Sequence, residues 1–342
     1  MRGGWGWRVV VGGRWVAAWL AWAGSGGRAE SPQVVTREEQ REPAGLRQLI
    51  MRSEPVLFPG VVAGPALFVR LAREWTFADT VYDNRVPVRK IGQVPAGIVV
   101  DATSGRVLWA KNARTPMQIA SLTKMMTLLL AVEALQRGEI ELETPVTVTR
   151  TAATIGGSQV YLREGETFAL SELLKTIIIA SANDAAQLVA ERLGGSAEVF
   201  VARMNERAGA LGMKSARFYN AHGLPMGSGR NVASALDVAL LARQLVKYPL
   251  VTQWSSTWVD RFRGGTFTLY NHNRLVKTVP GCDGLKTGYY RAAGYSNAVT
   301  VQREGVRMIV VVLGVGDRVT RDEVAKELVE WGYRQRAGLA AR

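Results

Sequence analysis

Three short stretches of this chain carry residue types that can perform acyl transfer. "ASLTKMMT" at 120–127 sets Ser121 and Lys124 three residues apart at the head of an apolar run. Residues 121–137 contain no Pro or Gly, so they read as one largely buried helix. At this spacing both side chains leave the same face. Taken alone, the pair is either a capping serine with a lysine reaching for solvent, or a nucleophile beside its base. "IIIASANDAA" places Ser181 and Asn183 just past an apolar helix, where a helix–loop junction can push polar groups into a cleft. Asn183 also suits the N-cap of the helix that follows. "CDGLKTGYY" places Lys286, Thr287 and Gly288 on a strand ahead of a final hairpin.

The elements that must position these groups are readable from about residue 95. "AGIVVDATSGRVLWAKN" gives two strands joined by a turn at 103–105. Helical patterns follow at 121–137, 170–180, 184–193 and 197–211. "AGYSNAVTVQ" and "VRMIVVVLGV" form a second hairpin across Arg303-Glu304-Gly305. Residues 320–336 close the chain as an amphipathic helix with Val324, Leu328 and Trp331 on one face. Strands at both ends with helices between them predict one antiparallel sheet built from the two chain ends. Helices cover that sheet, and an all-helical subdomain is inserted beside it. The fold class is α/β in the α+β sense.

Composition narrows the function. The 342 residues are 47% hydrophobic and 21% charged, which is globular. The net charge of +14 is dispersed, and four of the cations (Arg2, Arg8, Arg14, Arg28) precede residue 30, where there is no acid. No basic and aromatic cluster suits a nucleic acid. A basic surface facing an anionic polymer or a membrane surface fits better. One cysteine, Cys282, excludes an intrachain disulfide, and two histidines give no plausible zinc cluster, so neither metal nor cofactor is expected. His222 is read as a buried, hydrogen-bonded histidine rather than a triad base, and Cys282 as a small packing residue. Residues 1–29 combine a positive, acid-free start with the apolar "WVAAWLAWA", the pattern of a secretory signal peptide cleaved near Gly24 or Glu30, with an uncleaved membrane anchor as its rival. Residues 30–90, broken by Pro55, Pro59 and Pro65, read as a linker or partly ordered extension. The catalytic domain is then 91–342.

In this order Ser-x-x-Lys, Ser-x-Asn and Lys-Thr-Gly resemble the signature of the penicillin-recognising serine enzymes. "ASLTKMMT", "SANDAA", "FYNAHGLP" and "DGLKTGYYRAAGY" are similar to the blocks of the serine D-alanyl-D-alanine carboxypeptidases, the low-molecular-mass penicillin-binding proteins of bacterial walls. The similarity runs from about Gly92 to about Arg334. It implies a β-lactamase/transpeptidase-like fold, a peptidoglycan stem peptide as substrate, β-lactams as covalent inhibitors, and export to the periplasm or cell envelope. It implies Ser121 as nucleophile, Lys124 as its base, Ser181 as proton relay, and Asn183 holding Lys124 and the substrate amide. Lys286 and Thr287 would grip the terminal carboxylate, with Gly288 letting the substrate lie along the strand edge. The amides of Ser121 and Tyr289 would form the oxyanion hole, and Arg274 resembles a family arginine near the carboxylate. Ala182 departs from the usual Gly. The chain ends at "GLAAR", so the second β-rich domain and amphipathic anchor of many members are not expected.

Three rivals share parts of this pattern. A β-lactamase needs a glutamate to activate the deacylating water, and Glu191, Glu198 and Glu206 fall on helices with their charges outward. A silent wall-binding protein would show a broken motif. An endopeptidase cutting D-alanyl cross-links would use the same residues and stays open.

Overall fold

The computed structural model describes residues 9–11, 14–16 and 71–340. Val9–Val11 pairs antiparallel with Arg14–Val16 within a unit of its own, residues 1–44. The rest of the signal peptide reading and the linker reading before residue 71 lie outside the described residues.

The domain is organised on a six-stranded sheet. Its strands are β1 (Val81–Tyr82), β2 (Ala96–Asp101), β3 (Arg106–Lys111), β4 (Cys282–Tyr290), β5 (Gly294–Arg303) and β6 (Val306–Val315). They lie in the order β4-β5-β6-β2-β3-β1. Both expected hairpins form, and β6 pairs antiparallel with β2 (Val310 opposite Val99), which stitches the chain ends into one sheet. Only β1 runs parallel to its neighbour. β4, which carries the third motif, is an edge strand.

Period-two alternation explains why "VRMIVVVLGV" is apolar throughout. Ile309, Val311 and Leu313 enter one core while Met308, Val310 and Val312 enter another. The second core is closed by the final helix, Arg318–Ala340, through Val324, Leu328 and Trp331. The first continues into the helices α1 (Lys124–Gln136), α2 (Leu170–Ile179), α3 (Asn183–Gly194), α4 (Ala197–Ala210) and α5 (Ala235–Leu245). α5 begins with a reciprocal Ser234–Asp237 capping box, and α4 with Ser196 accepting from the Val199 amide. α6 denotes the final helix below.

Residues 71–90, the end of the stretch read as a linker or partly ordered extension, pack on the domain. Leu71, Val86 and Val88 are buried, the Trp109 indole donates to the Asp83 carbonyl at 2.7 Å, and Arg89 and Lys90 pair with Glu327 and Glu323 on α6. Outside the two-residue β1, their apolar residues follow neither helical nor strand period, because irregular backbone places them. That is why the sequence pattern did not reveal them.

Candidate active site

The first motif forms where a tight turn meets α1. Ala120–Thr123 is a 3-10 turn, so the expected single helix 121–137 opens one turn late, at Lys124. Ala120 sits at φ 46°, a left-handed conformation that costs a non-glycine residue about 1–3 kcal/mol. α1 is buried around most of its circumference, from Lys124 through Leu129 without interruption. Lys124 is therefore fully buried and cannot reach solvent, which removes the reading of an extended surface lysine. Ser121 is half-buried.

The Lys124 Nζ lies 3.0 Å from Ser121 Oγ and donates to Asn183 Oδ1 at 2.6 Å and the His222 carbonyl at 2.5 Å. The second and third partners are pure acceptors. A neutral amine has two N–H groups and one lone pair. Satisfying both acceptors uses the two donors and leaves the lone pair for the Ser121 hydroxyl. Burial pushes the Lys124 pKa well down, the Lys286 ammonium adds to the effect, and the Asp184 carboxylate opposes it. Lys286 is itself fully buried and held at about 7, by burial first and by the Arg321 guanidinium second.

The second motif is set by a turn between α2 and α3. Ser181 is buried at φ 61°, and the turn is fixed by the Ala182 amide donating to the Thr176 carbonyl and the Asn183 amide to the Ser158 carbonyl. Asn183 is the first helical residue rather than the N-cap, a position taken by Ala182. Its Nδ2 donates to the Gly156 carbonyl at 2.7 Å, which turns Oδ1 toward Lys124. Asp184, which sequence reasoning passed over, is buried and accepts from the amides of Val160 and Leu162 at 3.1 Å. Its burial raises its pKa, and these amides tie the 158–162 loop to α3.

The third motif is placed by close backbone contact. A Cβ on Gly288 would lie 2.6 Å from the Ile119 carbonyl oxygen and 3.3 Å from the amide nitrogens of Ser121 and Leu122. Glycine is thus needed for β4 to reach the Ser121 turn, a reason additional to the substrate clearance expected from sequence. Likewise Gly223, at φ 94°, lets the 220–224 loop pass against the Ala120 carbonyl. Thr287 is buried beside Lys286, whose Nζ donates to the Thr287 carbonyl at 3.2 Å. Tyr289 is exposed and stacks on Tyr295 with ring centroids 4.0 Å apart.

His222 contributes its carbonyl, not its ring. Nδ1 accepts from the Leu224 amide at 3.2 Å, and burial holds the imidazole down at about 3, so it stays neutral. Cys282 is buried with its thiol pushed up to about 12. Arg274 is exposed and is the N-cap of a short helix, Leu275–Thr278. Arg321 on α6 is the buried arginine whose charge acts on Lys286. No spacing rule links residue 321 to the third motif, and only the packing of α6 on the sheet brings them together.

The sequence and the fold are similar to those of known enzymes. The family model for D-alanyl-D-alanine carboxypeptidase matches residues 90–317. The D-alanyl-D-alanine carboxypeptidase DacF of Bacillus subtilis is 36% identical over 266 residues, 76% of this chain and 68% of that protein. A D-alanyl-D-alanine endopeptidase of Pseudomonas aeruginosa is 30% identical over 243 residues, 69% of this chain and 76% of that one. The crystal structure of penicillin-binding protein D2 from Listeria monocytogenes in its ampicillin-bound form superposes with a TM-score of 0.65 at 31% identity, covering 70% of this chain and 97% of that one. With Ser121, Lys124 and Asn183 joined by hydrogen bonds, Gly288 packed against the Ser121 turn, and the family model matched over residues 90–317, the chain belongs to the D-alanyl-D-alanine carboxypeptidase family of penicillin-recognising serine peptidases.

Proposed function

We propose that this carboxypeptidase works through an acyl-enzyme on Ser121. The observation that carries the reading is the fully buried Lys124, 3.0 Å from Ser121 Oγ, with two pure acceptors on its remaining directions. Ser121 Oγ attacks the carbonyl carbon of the penultimate D-alanine of a peptidoglycan stem pentapeptide. Its proton passes to Lys124 Nζ and onward through Ser181 to the departing amine. The C–N bond breaks, free D-alanine leaves, and water hydrolyses the ester. The amides of Ser121 and Tyr289 hold the developing oxyanion, a type of contact whose loss costs about 10²–10³ in rate. Lys286, Thr287 and the buried Arg321 hold the terminal carboxylate, a charge-assisted grip. Arg321 takes the part that sequence resemblance gave to Arg274.

β-Lactams place a strained amide in the same position and are expected to acylate Ser121. The site of action is the cell envelope, where the stem peptide lies, reached through the leader at residues 1–29. Among the described residues no helix is long and apolar enough to cross a membrane. The test is intact mass spectrometry after incubation with a β-lactam. A single adduct on Ser121 that disappears in Ser121→Ala supports the assignment, and labelling that survives this substitution overturns it. Release of D-alanine from a pentapeptide, set against release of monomers from a cross-linked dimer, ranks carboxypeptidase over endopeptidase action.

A further inference from the structure

With the terminal carboxylate at Lys286 and Thr287 and the scissile carbonyl at the Ser121 and Tyr289 amides, as proposed above, a stem peptide runs antiparallel to β4 along its free edge. Extended chains advance about 3.3 Å per residue. The residue before the two D-alanines therefore comes abreast of Tyr290 and Arg291, about 7 Å from the carboxylate end.

Tyr290 is braced there. Its hydroxyl donates to Gln118 Oε1 at 2.6 Å, and Gln118 pairs with Val232 in a two-stranded ladder. Two residues before Val232 lies Arg230, half-buried, whose charge acts on the Tyr290 phenol. Its Nη1 donates to the carbonyls of Gly227 and Gly229 at 2.7 and 2.9 Å, while Nε and Nη2 make no hydrogen bond among the described residues. The three segments that meet at this end of the cleft, 113–124, 214–234 and 286–297, contain Arg114, Arg217, Arg230 and Arg291 and no Asp or Glu.

We infer that Arg230, supported by Tyr290 and Gln118, determines specificity for the third residue of the stem, and that this subsite takes a side chain bearing a carboxylate, as in a diaminodicarboxylic acid, over a plain lysine. The free edge of the guanidinium matches a carboxylate, whereas a lysine ammonium meets only like charge. This subsite rests on the proposed placement of the D-alanyl-D-alanine end.

The experiment uses the full chain and three pentapeptides ending in D-Ala-D-Ala. Their third residue is lysine, diaminopimelate, or diaminopimelate with its side-chain carboxylate amidated. We expect kcat/KM for D-alanine release to favour the free acid over both others by about tenfold, chiefly through KM and less so at high salt. Arg230→Glu should reverse the order and Arg230→Lys should keep it. Because the wild-type comparison of acid with amide decides the matter alone, a variant that misfolds does not blur it. Equal kcat/KM for the three peptides overturns the subsite and leaves the Ser121 reading standing. No D-alanine from any peptide, with no β-lactam adduct, overturns both.

Discussion

At the scale of single residues, the proposed mechanism gives the two buried lysines different tasks, and their removal should look different. If Lys124 takes the Ser121 proton, as proposed, Lys124→Ala should abolish acylation by any ligand. If Lys286 grips the ligand carboxylate, Lys286→Ala should lower kcat/KM about a hundredfold for a free carboxylate and much less for its amide. Second-order acylation rates for two variants against two ligands form the cycle that separates them; equal losses across all four cells would sink the division of roles. The pH profile adds a second test. Lys124 must be neutral to work, so kcat/KM rises with pH through its depressed pKa. Lys286 must be charged, so kcat/KM falls again above about 7. Lys286→Ala should remove the basic limb and move the acid limb upward, because the like charge that lowers Lys124 is gone. Burial also has a stability consequence. The unfolded chain protonates Lys286 near ~10.4, the folded protein at about 7, so the unfolded state binds more protons in that window. Stability should therefore climb as pH rises from about 7 toward ~10. Lys286→Met should raise the melting temperature at neutral pH while impairing turnover, a gain of a few kcal/mol by calorimetry.

At the scale of elements, the site depends on how closely β4 approaches the turn that begins α1. Three backbone atoms within 3.3 Å of a Gly288 Cβ cannot yield as a flexible side chain would. Gly288→Ala should cost about 1–3 kcal/mol of stability and slow acylation at least ~tenfold by shifting Ser121 relative to the oxyanion donors. Burst kinetics with a chromogenic β-lactam measure the second effect, and an unchanged acylation rate would show that the approach is not needed. The left-handed conformations at Ala120 and Ser181 mark the same principle, since each bends the chain where a helix end must present a side chain to the cleft.

At the scale of the whole molecule, residues 71–90 belong to the domain's stability. Leu71, Val86 and Val88 are each worth about 1.5–3 kcal/mol when fully buried. A chain beginning at 91 should melt several degrees below one beginning at 71, by differential scanning calorimetry, while keeping the same β-lactam adduct. Equal melting points would show that the segment packs without stabilising. Both hairpins, the central helices and the final helix were legible in sequence because each has a clean period, two or near four, bounded by Gly or polar turns. Ser121, Lys124, Ser181, Asn183, Lys286, Thr287 and Gly288 were legible as three spaced motifs, each too common to mean much singly. What sequence left open was decided by packing. Lys124 is a base candidate rather than a surface charge because α1 is buried around it. Asn183 turns its oxygen to Lys124 because Gly156 takes its amide nitrogen. The Arg321 charge acts on Lys286 because α6 folds back over the sheet. Local periodicity is set by neighbours in the chain and can be read from them. A pKa, a hydrogen-bond partner or a charge from 35 residues away depends on which surfaces close together, and that exists only in the folded protein.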